Sequence, residues 1–205
     1  RDRPGAGKTL AGLNLACERR MKDKNEEEHA VFLTGNVPLV SVLSESLAID
    51  ASKHNKNKTK AEALREVKSF IQNVHHFRDE CLENNSPPTE RIVIFDEAQR
   101  AYDLDKTKSF MKRNKNKPDF NFSEPEFLIK SMDRHTGWTA IVCLVGGGQE
   151  INKGEGGMEE WLKALRDNFP DWKVWISNAL DSKYYLPTFN PVSYTHLTLP
   201  TIRTV

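Results

Sequence analysis

Ile92-Val93-Ile94-Phe95-Asp96-Glu97-Ala98-Gln99 is a run of β-branched and aromatic residues that ends abruptly in two carboxylates. Such a run reads as a buried central strand, because β-branched and aromatic side chains pack well on a pleated surface. Its polar tip then lies at the carboxyl end of that strand, where open parallel α/β sheets bind their ligands. The arrangement is that of a Walker B or DEAD-type motif, in which Asp96 would hold a magnesium ion, usually through water, and Glu97 would polarise an attacking water. An acidic helix start after a strand is the alternative reading of the same residues.

Upstream, Gly5-Ala6-Gly7-Lys8-Thr9 has the form of the back half of a Walker A loop. Its glycines let backbone N–H groups curl round a phosphate at a helix N-terminus. Lys8 would sit against the β and γ phosphates of ATP, and Thr9 would offer its hydroxyl to Mg2+. The opening glycine of the full GxxxxGK[ST] pattern falls on Asp2. A phosphate loop also needs a strand to aim it, and none precedes this one, so the reading expects an N-terminal truncation with the first strand missing.

Downstream, Leu144-Val145-Gly146-Gly147-Gly148-Gln149-Glu150 is a second strand with a polar tip, where Gln149 could sense the γ phosphate. A glycine-rich strand-to-helix turn is the competing reading. Thr34-Gly35-Asn36, at a third strand end, could contact a phosphodiester, or could be a simple turn. His75 and His76, read as lying just after a helical stretch beside Phe77 and Arg78, offer stacking and charge suited to single-stranded nucleic acid. Core or capping histidines are the commoner case.

Between these motifs strands and helices alternate. Strands are expected at Ala30–Leu33, Arg91–Phe95, Thr139–Val145 and Trp172–Ile176, and helices at Thr9–Arg20, Leu39–Leu47, Lys60–Ile71, Glu126–Met132 and Met158–Leu165. Lys53–Lys60 and Lys106–Phe122, rich in Lys and Asn, read as a mobile loop and a surface insertion. Alternation of this kind makes an α/β fold with a mostly parallel sheet and helices on both faces.

The 205 residues suffice for one domain with a buried core and fall short of two. With 38% apolar and 29% charged residues, disorder and fibrous repeats are excluded. Thirty basic against twenty-nine acidic residues leave a net charge of +1, so nucleic-acid binding would need a local basic surface. Cys17, Cys81 and Cys143 lack any disulfide or zinc spacing. No apolar run could span a membrane and no signal sequence opens the chain, which makes a cytoplasmic location the default expectation.

As a set, PGAGKTL (4–10), FLTGN (32–36), FIQNVHHFRDE (70–80), VIFDEAQRA (93–101), FSEPEFLIKSMDRH (122–135) and LVGGGQEINKGEGG (144–157) resemble the prokaryotic Schlafen group 3-like DNA/RNA helicase domains. These are themselves similar to superfamily 1 helicases. The resemblance runs from about Pro4 to about Pro187 and implies a RecA-like P-loop NTPase fold. It places Gly5, Ala6, Gly7, Lys8 and Thr9 in motif I and Asp96 to Gln99 in motif II, with Gln99 on the nucleotide. Gly148-Gln149 then stands where motif III more often shows Gly-Asp before the Gln.

The resemblance implies ATP and Mg2+ as cofactors, single-stranded DNA or RNA as partner, and a second RecA-like domain bearing arginine fingers. Without those fingers this chain should bind ATP far better than it hydrolyses it. A nucleotide-gated switch or scaffold that binds ATP without translocating is the alternative. Residues 1–190 are expected to form the first motor domain, and 191–205 to be a non-native tail resembling a translated cloning remnant.

Overall fold

The computed structural model describes residues 7–21, 30–55, 58–146 and 152–176. Chain order runs α1 (Lys8–Met21), β1 (Ala30–Thr34), α2 (Val37–His54), α3 (Lys60–Phe70), β2 (Ile71–Asn73), α4 (Val74–Glu83) and β3 (Ile92–Asp96). After a 3-10 turn at Ala98–Arg100 come α5 (Leu104–Lys115), α6 (Glu124–Met132), β4 (Ala140–Leu144) and α7 (Gly157–Asn168). The four strands form one sheet in the order β2-β1-β3-β4, and every pairing is parallel.

The central strands β1 and β3 are buried along their whole length, and alternate residues serve two cores. Val31, Leu33, Val93 and Phe95 join Phe77, Met111, Phe127, Ile129 and Trp161 on one face. Ala30, Phe32, Ile92 and Ile94 join Leu13, Ala16 and Val67 on the other. A parallel sheet must be covered twice in this way, which is why its inner strands read as unbroken apolar runs rather than alternating ones. The second face demands close approach: a Cβ on Gly12 of α1 would lie 2.5 Å from Leu144 Cδ1 and 3.0 Å from Ile94 Cγ2.

Helix starts follow local chemistry. Asn36 accepts from the Leu39 N–H with Pro38 in the first turn of α2, and Ser123 accepts from the Glu126 N–H with Pro125 in the first turn of α6. Thr59 and Glu62 form a reciprocal capping box on α3.

Four expectations are corrected. The insertion expected at Lys106–Phe122 is largely α5, because Asp103 caps the Lys106 N–H and Thr107 and Met111, one turn apart, bury completely against the first core. Two apolar-facing positions in a Lys/Asn-rich stretch are enough once a cap starts the helix. The strand expected at Trp172–Ile176 is irregular backbone; the Trp172 ring packs against the first core and its Nε1–H donates to Asp133 Oδ1 at 2.8 Å, which holds the segment on the helical layer rather than at a sheet edge. His75 and His76 begin α4 rather than follow a helix, since the three residues of β2 intervene. Likewise α2 continues through Lys53 and His54, where a loop was expected.

Candidate nucleotide and nucleic-acid site

The carboxyl ends of β1 and β3 open into a cleft of about 680 Å³, lined among others by Thr9, Thr34, Asn36, Asp96, Glu97 and His75. Residues far apart in sequence converge here because both strands are parallel and end on the same side of the sheet.

Gly7 has φ +83 with open space around its missing Cβ, so glycine is needed there for the backbone turn rather than for room. Lys8 then starts α1, whose first N–H groups have no helical acceptor behind them. Thr9 Oγ1 lies 3.0 and 3.3 Å from the two carboxylate oxygens of Asp96, a bridge across 87 residues. Asp96 itself is 3% exposed. Its carboxyl is pushed above the usual range, chiefly by burial and further by the neighbouring Glu97 charge, against the opposing pull of the Thr9 hydroxyl. Among the described residues it has no ion-pair partner.

Glu97 adopts a left-handed conformation, φ 55 and ψ 45. For a residue with a Cβ this is sparsely populated and costs of order 1 kcal/mol or more. The turn brings its carboxylate against Gln99, whose Nε2–H donates to Glu97 Oε2 at 2.5 Å. Gln99 Oε1 in turn accepts the Gly146 N–H at 3.1 Å. A Cβ on Gly146 would stand 3.1 Å from Glu97 Oε2 and 3.2 Å from Gln99 Nε2, so glycine keeps this corner open. Gln99 is buried with both ends of its amide engaged, linking the end of β3 to the end of β4.

The remaining sequence candidates divide. Thr34, Gly35 and Asn36 line the cleft; Thr34 Oγ1 accepts the Asn36 N–H at 3.2 Å, and the Asn36 Oδ1 is spent on capping α2. His75 also lines it, yet its ring stacks on Phe110 at 5.8 Å and its Nδ1 accepts from Arg78 Nη1 at 3.1 Å. Burial first, then the Arg78 charge, hold His75 down to about 4, so it is neutral. His76 is exposed and lies outside the cleft. Gly5, Ala6 and Gln149 lie outside the described residues.

The cleft also recruits Tyr102, Lys106, Glu124, Asn152 and Glu155, which the sequence reading did not single out. They come together through exchanges between distant segments. The Glu124 N–H donates to the Tyr102 carbonyl and the Tyr102 N–H to Glu124 Oε2, each at 3.0 Å. Tyr102 also bridges Glu155, and the Gly156 N–H donates to the Ala101 carbonyl at 2.8 Å. The Asp103 cap is the local signal that could have pointed to this arrangement, had a helix been expected after it.

The sequence matches the family model of the Schlafen group 3 DNA/RNA helicase domain over residues 3–196. The chain belongs to this family. Its α/β fold, a parallel sheet with helices on both faces, has the layering that the earlier resemblance implied. Comparison with curated proteins gives no match. Among solved structures it is similar to the crystal structure of the Pyrococcus furiosus Hef helicase domain, at 16% identity and a TM-score of 0.45, over 80% of this chain and 31% of that one. Among the described residues no helix is long and apolar enough to cross a membrane.

Proposed function

We propose that this domain binds ATP with magnesium and couples its hydrolysis to binding DNA or RNA, as one motor domain of a helicase. The observation that carries the reading is the Thr9–Asp96 bridge in front of Glu97. A buried carboxylate without an ion-pair partner among the described residues, held by the hydroxyl of the residue after Lys8, is the donor set that a phosphate-bound cation takes up. No three His, Cys, Asp or Glu side chains converge as a self-sufficient metal site among the described residues. Magnesium fits such a sparse set because it keeps several waters and takes the rest of its ligands from phosphate oxygens.

On this reading Gly5, Ala6 and Gly7 present backbone N–H groups to the phosphates, Lys8 neutralises them, and Thr9 and Asp96 hold the ion. The metal, when bound, offsets the charge that develops on the phosphates. Glu97 accepts the proton of the attacking water, and its left-handed turn sets the carboxylate against Gln99. Gln99 holds Glu97 and reports its position to Gly146, the start of the segment carrying Gln149. Thr34, Gly35, Asn36 and His75 form the wall where a nucleic-acid strand is met, while His76 serves at most as an outer contact.

The test is binding of a fluorescent ATP analogue to the full chain with and without Mg2+, for the wild type, Lys8→Ala and Thr9→Ala. Loss of affinity in Lys8→Ala, and loss of the Mg2+ increment in Thr9→Ala, is the expected result. Unchanged binding in Lys8→Ala sinks the proposal. Phosphate release stimulated by a single-stranded oligonucleotide, with a second motor domain supplied, tests the coupling.

A further inference from the structure

We propose that α5 is a phosphodiester-binding strip that carries a nucleic-acid strand out of the cleft. The inference rests on the nucleic-acid reading above and extends it to a surface outside the recognised motifs. The segment from Lys106 to Lys117 holds six basic residues, namely Lys106, Lys108, Lys112, Arg113, Lys115 and Lys117, and no acidic one. The whole chain carries a net charge of only +1, so this is a local excess.

The strip begins inside the cleft. Lys106 lines it, and its ammonium stands 3.9 Å from the centre of the Tyr102 ring. Its stem lies where a Cβ on Gly154 would be, 2.6 Å from Lys106 Cδ, so the chain makes room for this lysine with a glycine at φ +90. From there the helix climbs about 14 Å to Lys115, at 1.5 Å per residue, long enough to meet more than one phosphate. Its inner side is fixed: Thr107 and Met111 are fully buried, and Phe110 packs on His75 and Arg78. Its outer side is exposed, and Lys112, Arg113 and Lys117 have no acidic partner among the described residues. Among the described residues Lys115 is ion-paired, with Asp79 at 2.6 Å, and Lys108 donates to Asn121 Oδ1 at 2.8 Å.

Two simpler accounts fall short. Cations in the last turn of a helix complement its dipole, which covers Lys112, Arg113 and Lys115. Lys106 and Lys108, however, sit near the N-terminus, where the dipole opposes them. A membrane surface would require an apolar face beside the basic one, and the apolar residues of α5 are already packed inward. A flexible polyanion that already occupies the cleft is the occupant that the charge and the continuity both fit.

The experiment is anisotropy of a labelled single-stranded oligonucleotide with the full chain across a salt series. It compares the wild type with a Lys112→Gln/Arg113→Gln/Lys117→Gln variant and with a control, Lys60→Gln/Arg65→Gln/Lys68→Gln, that removes the same charge from exposed positions on α3. All six positions are on the surface, so folding is unaffected. The α5 variant should bind about tenfold more weakly at low salt, with a log–log salt slope shallower by about two, at roughly 0.7 per lost single-strand phosphate contact. The control should keep the wild-type slope. Equal behaviour of the α5 variant and the wild type overturns the strip while leaving the nucleic-acid reading intact. Equal losses in both variants overturn it too, as a general charge effect, and so does polyglutamate competing as well as the oligonucleotide. Absence of any wild-type binding fails the broader reading, and the strip with it.

Discussion

Asp96 and Glu124 are both buried carboxylates at the edge of the same cleft, 3% and 5% exposed, and burial pushes both above their ordinary range. Their surroundings differ. Glu124 Oε2 accepts the Tyr102 N–H, and the carboxylate faces the equally buried Arg78, 3.8 Å away, across the start of α6. Arg78 is held in turn by Asp79 at 3.2 Å and by the stacked Phe110 ring. Among the described residues Asp96 has the Thr9 hydroxyl, the neighbouring Glu97 carboxylate and, as a weaker influence, the Lys8 charge. The difference teaches which charge is structural. Where a guanidinium is buried against the carboxylate, the acid is a clasp between segments; Asp96 has no ion pair among the described residues, feels the Lys8 charge only weakly, and is the carboxylate for which a cation is proposed. A buried unneutralised charge is costly, and that cost marks a binding site better than burial alone.

Substitutions should therefore separate the two ends of the cleft. The largest effect belongs to Glu97, beside Asp96: Glu97→Gln should lower phosphate release by about 10²- to 10⁴-fold, the usual worth of a general base, with ATP affinity kept. Equal loss of affinity would make Glu97 part of the binding set instead. Glu124→Ala should destabilise the fold by about 3 kcal/mol in urea unfolding, because it strands a buried guanidinium. The figure is at the lower end of the usual range since Asp79 stays with Arg78. A negligible change would show that the Arg78–Glu124 pairing is not the clasp described.

Asp96→Asn should act in the opposite sense. Removing a buried charge next to Glu97 should stabilise the ligand-free protein by about 1 kcal/mol at neutral pH. A carboxyl raised in the fold contributes stability below its ordinary value of 3.8 and loses it as the pH climbs through the raised value. The Asn variant should lack that decline. It should also lack the rise in melting temperature on adding Mg2+ and ATP, a shift in the wild type set by ligand concentration over Kd. Destabilisation by Asn would mean that Asp96 has a partner after all.

The effect expected at His75 is confined to acid pH. Its folded value is held down to about 4 against an ordinary 6.5. Its contribution is complete above 6.5 and is lost as the pH falls towards 4, when the unfolded chain takes up the proton first. His75→Gln should flatten that acid arm of a stability–pH profile. An unchanged arm would assign it to other groups.

Much of the candidate site was legible because its parts are short and local. An apolar run ending in Asp-Glu, and Gly-Lys-Thr opening a helix, each carry their chemistry within a few residues. Thr34-Gly35-Asn36 was legible as a strand end, and the structure adds that Asn36 caps α2. The lower half of the cleft was not legible, since Tyr102, Glu124 and Glu155 meet through backbone exchanges between segments more than twenty residues apart. For His75 the stacking and the core reading both stayed open, because nothing in FIQNVHHFRDE announces Phe110 on one side of its ring.

The sequence alone determined the α/β class, the strands β1, β3 and β4, and the glycine turn and carboxylate pair that meet at the candidate site, because periodicity and glycine chemistry act over one or two turns of chain. Tertiary structure decided the rest. It drew a helix from the Lys/Asn-rich stretch after Asp103, took Trp172 off the sheet, and set a buried guanidinium beside Glu124 while Asp96 has no ion pair among the described residues. The reason is that a buried charge is neutralised only by groups brought within a few ångströms, and that proximity arises only when distant segments pack.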